Sequence, residues 1–191
     1  ILNMSVNLRI QFITQWIKNY ALNSSEQQFN LIVGVSGGID SALVSTLCAE
    51  TGILTHVVSM PIKQNSEQHE LSLGHIKWLK SNYTNITSHV IELDEVFKNF
   101  KQIMQNYDSE LAFANTRSRL RMLTLYQIAQ SNNGLVVGTG NKVEDFGIGF
   151  YTKYGDGGVD ISPIADCTKT QVWEMGKELG IKKEIVEAKP T

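Results

Sequence analysis

The chain has 191 residues, 42% of them apolar, and a formal net charge of −2. That length suits one domain with a sizeable core. Only 15 Gly and 3 Pro exclude a disordered or fibrous chain. The near-neutral charge gives no general case for nucleic acid or an anionic membrane as partner, and no apolar run approaches a membrane span or a signal peptide.

Val6, Ile10, Ile13, Ile17 and Tyr20 recur at helical spacing and predict an amphipathic first helix, ended by Asn23-Ser24-Ser25. Leu31 to Val35 is a β-branched apolar run of the kind found in central parallel strands. A helix follows to about Thr51, with Gly52 as its C-terminal glycine. Leu54 to Met60 reads as a second strand stopped by Pro61. Leu71, Ile76 and Leu79 mark another helix. Thr87 to Leu93 is predicted as a short strand, with a helix around Val96, Phe97 and Phe100 after it. A longer helix is predicted from about Asn115 to Gln130, with Leu120, Leu123 and Ile128 on its core face. Gly134 to Thr139 is the next strand. Residues 140–158 form a glycine-rich loop region, and Thr168 opens a last helix that ends at Gly180 with Val172, Met175 and Leu179 inward. Strand and helix alternate almost throughout, so the expected architecture is α/β, a doubly wound parallel sheet flanked by helices in a single domain over residues 1–191.

The stretch from Gly34 to Ser41, G-V-S-G-G-I-D-S, joins a strand to a helix through two glycines. Backbone N–H groups at such a helix start form an anion site, and phosphate is the usual guest. A Walker loop is excluded because no Lys follows Gly38. A dinucleotide fingerprint is excluded by the spacing of Gly34, Gly37 and Gly38. Asp40 reads either as an N-cap or as a ligand to what binds there. Thr139 and Glu144 follow the strand at 134–139, and so lie at the carboxyl edge of the sheet, where ligands of open α/β sheets bind. Residues 150–160 pack Lys153, Asp156, Asp160 and three glycines into one loop, a density that suits a polar ligand. Lys169 falls on the first turn of a helix, against the macrodipole, and a bound phosphate would explain it. Arg119 and Arg121 read either as a solvated helix face or as part of a local basic patch. Trp16, Trp78 and Trp173 fall on helical faces as core or interface residues. His56, His69, His75 and His89 show no ligand spacing. Cys48 belongs to an apolar helix and Cys167 to a loop; neither has a metal or redox spacing, and the reducing cytosol is the expected compartment.

S-G-G-I-D-S resembles the pyrophosphate loop of ATP pyrophosphatases. With N-T-R-S-R-L-R-M, V-G-T-G-N-K-V-E, T-K-Y-G-D-G-G-V-D-I-x-P, T-K-T-x-V and the final K-P-T, the chain resembles ammonia-dependent NAD synthetases from Gly34 to Thr191. The most specific of these segments is T-K-Y-G-D-G-G-x-D. The resemblance implies an adenine nucleotide alpha-hydrolase-like fold and a two-step reaction. ATP adenylates the nicotinate carboxylate of deamido-NAD and releases pyrophosphate; ammonia then displaces AMP to give NAD. It implies that Gly34, Val35, Ser36, Gly37, Gly38, Ile39, Asp40, Ser41, Thr139, Lys169 and Thr191 contact ATP. It further implies that Asp40 and Glu144 hold Mg²⁺ and that Arg119, Lys153 and Asp160 hold deamido-NAD. Asp156 is the candidate for the ammonia site, with Lys169 beside it as a catalytic residue. A homodimer in the cytoplasm is implied too, with neither nucleic acid nor membrane as partner. The family continues for several dozen residues past the position of Thr191, so the C-terminal part of the family pattern is expected to be missing. Two other readings stay open: a different ATP pyrophosphatase such as a tRNA thiolase, which needs reactive cysteines and a basic surface, and a non-catalytic nucleotide-binding module.

Overall fold

A computed structural model describes residues 4–22, 28–63, 66–143 and 151–188. Four strands form one parallel sheet: β1 (Asn30–Gly34), β2 (Thr55–Ser59), β3 (Ile86–Val90) and β4 (Gly134–Val136), in the order β3-β2-β1-β4. The chain lays β1, β2 and β3 side by side and then returns to the other side of β1 for β4. The register places Leu31 beside Thr55 on one side and beside Leu135 on the other. A Cβ at Gly134 would fall 2.0 Å from Ile32 Cδ1, so any larger residue there would push that side-chain end aside. Val137 makes a further parallel bridge to Ile161, which extends the sheet's edge past β4.

Alternation along β1 divides the core. Leu31 and Val33 face one layer, with α1 (Val6–Leu22), α2 (Ile39–Glu50), α6 (Lys169–Glu178) and α7 (Lys183–Val186). Ile32 faces the other, with Phe97 of α4 (Asp94–Ile103) and Phe113, Met122, Leu125 and Ala129 of α5 (Glu110–Ser131). A third cluster joins Val57 of β2 to Ile76 and Leu79 of α3 (Ser66–Asn82). A parallel sheet covered on both faces is the doubly wound arrangement that the alternation of elements predicts. α6 fits closely over the start of α2: a Cβ at Gly176 would lie 2.8 Å from Ile39 Cδ1. Arg9, buried on α1, reaches Glu174 on α6 at 3.3 Å and ties the outer helices together. Between β2 and β3, His56 Nδ1 and His89 Nε2 lie 2.9 Å apart.

The structure differs from the sequence reading in β3, in β4, in α5 and on one face of α1. β3 covers residues 86–90 rather than 87–93; Leu93 instead leads into α4 and packs in the core. β4 ends at Val136, since past it Val137 and Gly138 turn their hydrogen bonds to Ile32 and Ile161. α5 begins at Glu110, capped by Ser109, whose side chain accepts from Ala112 N–H. Its inward stripe is Phe113, Met122, Leu125 and Ala129, whereas Leu123 is 66% exposed and Leu120 and Ile128 only border the core. One residue on a helix is a 100° rotation, so a stripe centred on Leu125 turns Leu123 outward. On α1, Tyr20 likewise points outward while Ile13 and Ile17 are fully covered. Leu125→Ala is expected to cost about 2–5 kcal/mol of stability. Leu123→Ala is expected to stay within about 0.5 kcal/mol of the parent. Urea titration of both variants checks the register of α5.

Candidate active site

β1 ends in a turn that only glycine can make. Gly37 has φ +95°, and a Cβ there would lie 2.4 Å from the Gln68 carbonyl oxygen of α3. The turn is held by its own serines: Ser41 Oγ accepts from Ser36 N–H at 3.1 Å and donates to the Gly38 carbonyl at 3.1 Å. Gly38 is the N-cap of α2 and offers no side-chain acceptor to the first-turn N–H groups. Those groups point past the sheet edge, which is the anion-binding arrangement. Behind the turn, the buried Ser72 of α3 donates to the Val35 carbonyl at 2.8 Å and lies 3.1 Å from Ser59 Oγ. Deeper still, Ser45 Oγ donates to the Ser41 carbonyl at 2.7 Å and meets His75 Nε2 at 3.0 Å.

Asp40, on the first turn of α2, gathers three segments. Its Oδ2 pairs with Lys169 Nζ of α6 at 2.5 Å, and its Oδ1 accepts from Asn141 Nδ2 at 3.0 Å. Asn141 is fully buried and in turn accepts from Val143 N–H. The Lys at a helix start, for which the sequence suggests a bound phosphate, is opposed by a carboxylate. Thr168 caps α6 with a complete capping box through Gln171.

Residues 151–160 dock along α5. Asp156 Oδ1 accepts from Ser118 Oγ and from Thr152 N–H, both at 2.8 Å. Thr152 Oγ1 donates to Asn115 Oδ1, and Arg119 Nε donates to the Lys153 carbonyl at 3.0 Å. Tyr154 takes φ +66°, and Gly155 leaves room for Ser118, whose Oγ would be 2.3 Å from a Cβ. At the far end, Asp160 accepts from Tyr126 Oη and from Val136 N–H. Burial and the bond to Asp160 push the Tyr126 hydroxyl up to about 12. The motif N-T-R-S-R-L-R on α5 and the loop T-K-Y-G-D-G-G-V-D thus form one hydrogen-bonded unit.

Between these parts lies a cleft of about 430 Å³. It opens where the strand order reverses, between the ends of β1 and β4, the position at which open α/β sheets bind ligands. Val35, Ser36 and Ser41 line one side and Gly138 and Thr139 another, with Ser118 and Asp156 at the mouth and Met60, Met122 and Leu125 as an apolar floor. A Cβ at Gly138 would strike Val159 at 2.6 Å, so the backbone there is held close to the cleft. Asp40 and Lys169 sit beside it through Ser41 and α2. Arg119 and Lys153 meet in the docked loop, where Lys153 Nζ lies 5.2 Å from the Tyr154 ring. Glu144 and Thr191 lie outside the described residues, as do 145–150. Asn141, Ser118 and Ser72 support the site without having been singled out. Asn141 and Ser118 stand inside the motifs, while Ser72 had no signal, since its partners, the Val35 carbonyl and Ser59 Oγ, come from other segments of the fold. Cys48 and Cys167 are both buried free thiols, and burial pushes each thiol's pKa up, so neither is an activated nucleophile.

The NAD synthase family model matches residues 9–191. The NH3-dependent NAD⁺ synthetase of Carboxydothermus hydrogenoformans is 36% identical over 189 residues, covering 94% of this chain and 72% of its own length. The enzyme of the same name from Sulfolobus acidocaldarius is 37% identical, covering all of this chain and 66% of its own. Among solved structures, NMN synthetase from Francisella tularensis superposes with a TM-score of 0.90 at 32% identity, covering 99% of this chain and 76% of that one.

His75 carries the pH response of this region. It is fully buried, stacks on Trp78 at 5.6 Å, and has no partner for Nδ1. With Nε2–H donating to Ser45, a second proton on Nδ1 would meet no acceptor, and burial lowers the pKa to about 4. The folded value lies below the unfolded value near 6.5, so the neutral imidazole contributes stability above that pH, lost as pH falls through 4. The urea midpoint of the parent is expected to drop between about pH 6.5 and 4. His75→Gln is expected to show a flatter profile over the same window.

Proposed function

The chain belongs to the NAD synthase family, and from that premise we propose that it uses ATP and ammonia to amidate deamido-NAD, giving NAD, AMP and pyrophosphate. One observation carries the reading: the uncapped α2 start and the Asp40–Lys169 pair adjoin, through Ser36 and Ser41, the cleft where β1 and β4 diverge. The chemistry needs a phosphate cradle together with a group that takes a proton from nitrogen. A carboxylate oxygen of the substrate attacks the α-phosphorus of ATP, and the bond from that phosphorus to the bridging oxygen breaks to release pyrophosphate. Ammonia then attacks the acyl carbon, AMP leaves with the bonding electrons, and one proton is lost from nitrogen. Positioning and charge stabilisation carry such steps.

In this reading the N–H groups of residues 34–41, with Ser36 and Ser41, cradle the ATP phosphates together with Thr139 and Lys169. Asp40 suits Mg²⁺, with Glu144 as a second ligand: the donor is a hard carboxylate beside a phosphate site, and Mg²⁺ takes one or two carboxylates plus phosphate oxygens and water. When bound, the ion neutralises phosphate charge. Asp156 serves ammonia, since its Oδ1 is held by Ser118 and Thr152 while the carboxylate faces the cleft mouth. That anion attracts ammonium and takes a proton. Arg119 and Lys153 bind the dinucleotide acid, and Asp160 serves it by keeping the loop on Tyr126 and β4. Thr191 is assigned to ATP by resemblance alone.

A cytoplasmic homodimer completes the reading. Two buried free thiols suit a reducing compartment. Val96, Phe100, Ile103, Tyr107 and Leu111 are exposed along α4 and the start of α5, an apolar run that suits a partner. A second copy seated there would approach the loop that α5 holds.

With Mg²⁺, ammonium and ATP, the chain is expected to convert deamido-NAD to NAD with AMP and pyrophosphate as products, read by nucleotide chromatography. ADP and phosphate in their place would overturn the reading. The likeness to an NMN synthetase favours one competitor, nicotinate mononucleotide, and parallel assays with each acid separate the two. Asp40→Asn is expected to lower turnover about a hundredfold with helical content retained, while a Cys48→Ala, Cys167→Ser double variant keeps turnover.

A further inference from the structure

Among the described residues, Arg121 and Lys63 are the cations that line the cleft. Arg121 stands on α5 among the apolar side chains of the cleft floor, and its Nε donates to the Met60 carbonyl at 3.1 Å, where β2 leaves the sheet. Among the described residues no carboxylate lies within ion-pair distance of it. Burial lowers its pKa, and the charge of nearby Arg117 adds to the effect, yet a guanidinium does not give up its proton in a protein. A cation fixed in an apolar wall without a counter-charge costs free energy, and a bound anion removes that cost. Lys63 lines the same cleft. Its backbone takes φ +46°, a left-handed conformation held by its N–H bond to Asp94 Oδ1 at 2.6 Å. Asp156, the carboxylate on the cleft lining, already has one oxygen bound by Ser118 and Thr152.

We infer that Arg121 is an anion-binding residue of the cleft, whose Nη edge receives a phosphate group esterified to adenosine while its Nε holds Met60 in place. The shape of the site supports a phosphate on a nucleoside: an apolar floor of Met60, Met122 and Leu125 stands beside the cation, and a ligand with both characters fills both. A guanidinium offers two parallel N–H donors to phosphate oxygens, which an ammonium does not. The inference rests on the nucleotide reading above. Both ATP and a dinucleotide carry the required group.

Calorimetric titration of the parent chain, Arg121→Gln and Arg121→Lys with adenosine, AMP, ATP, deamido-NAD and pyrophosphate tests it. In Arg121→Gln, phosphorylated ligands are expected to bind at least about tenfold more weakly, with adenosine within about twofold of the parent. Arg121→Lys should fall between the two, because the charge remains and the fork is lost. A loss shared by AMP and deamido-NAD places the contact with both substrates; a loss confined to one names its source. Equal weakening of adenosine and AMP would overturn the inference, reducing Arg121 to a tether for Met60. Unchanged AMP and ATP binding in Arg121→Gln would overturn it while leaving the nucleotide reading intact. Binding of pyrophosphate through Arg121 in a parent chain that takes no nucleotide would keep the anion site and overturn the nucleotide reading.

Discussion

Burying a carboxylate is unfavourable unless its oxygens are met, and Asp40 shows what that constraint builds. Three stretches far apart in sequence converge on one side chain: the first turn of α2, Asn141 after β4, and Lys169 at the head of α6. Each stretch carries one wall of the cleft or abuts it. Without those partners the charge would stay in water, and the start of α2 would meet α6 only through apolar packing such as that of Ile39 on Gly176. The pair therefore sets the relative placement of elements that the hydrophobic layers alone leave free to slide, since apolar packing is non-directional and these bonds are not.

The sheet supplies the other half. Because the chain goes outward from β1 to β3 and then back to β4, the loops after β1 and β4 diverge and leave a gap between them. α5 covers one face of that gap and also carries the residues that dock the loop at 151–160. One helix is thus core on one side and scaffold for the site on the other. This is why its Phe113, Met122, Leu125 and Ala129 stripe faces the sheet while Asn115, Ser118 and Arg119 stay free for the loop.

Much of this was legible in the sequence, for identifiable reasons. Strand and helix alternation, the glycine turn and the motif segments are local patterns, and they located the sheet edge and the Gly34–Ser41 loop. The helix that ends at Gly180 was equally plain, because Thr168 and Gln171 form a cap and Gly180 takes positive φ. The rotation of α5 was not legible: Leu120, Leu123 and Ile128 are as apolar as the buried set, and only the sheet opposite decides between them. The partner of Lys169 was hidden for a different reason. Asp40 is 129 residues away, and spacing carries no information on pairs that the topology brings together. The same holds for Asp160, whose two oxygens meet donors on Tyr126 and Val136, partners that spacing does not reveal.

Gly176 makes two positions into one heritable choice. The clearance of 2.8 Å between a Cβ at 176 and Ile39 Cδ1 involves the far end of a flexible side chain rather than backbone. An alanine at 176 therefore requires the isoleucine at 39 to turn its Cδ1 methyl aside, whereas a valine there, which lacks that methyl, needs no such adjustment. Neither substitution has a fixed effect; each depends on which residue the other site holds. Ile39 lies at the start of α2, beside the glycine turn, and Gly176 lies about two turns into α6, the helix that Lys169 opens. Drift in α6 is thereby conditioned by the residue that opens α2, and the history of that turn constrains the helix packed over it.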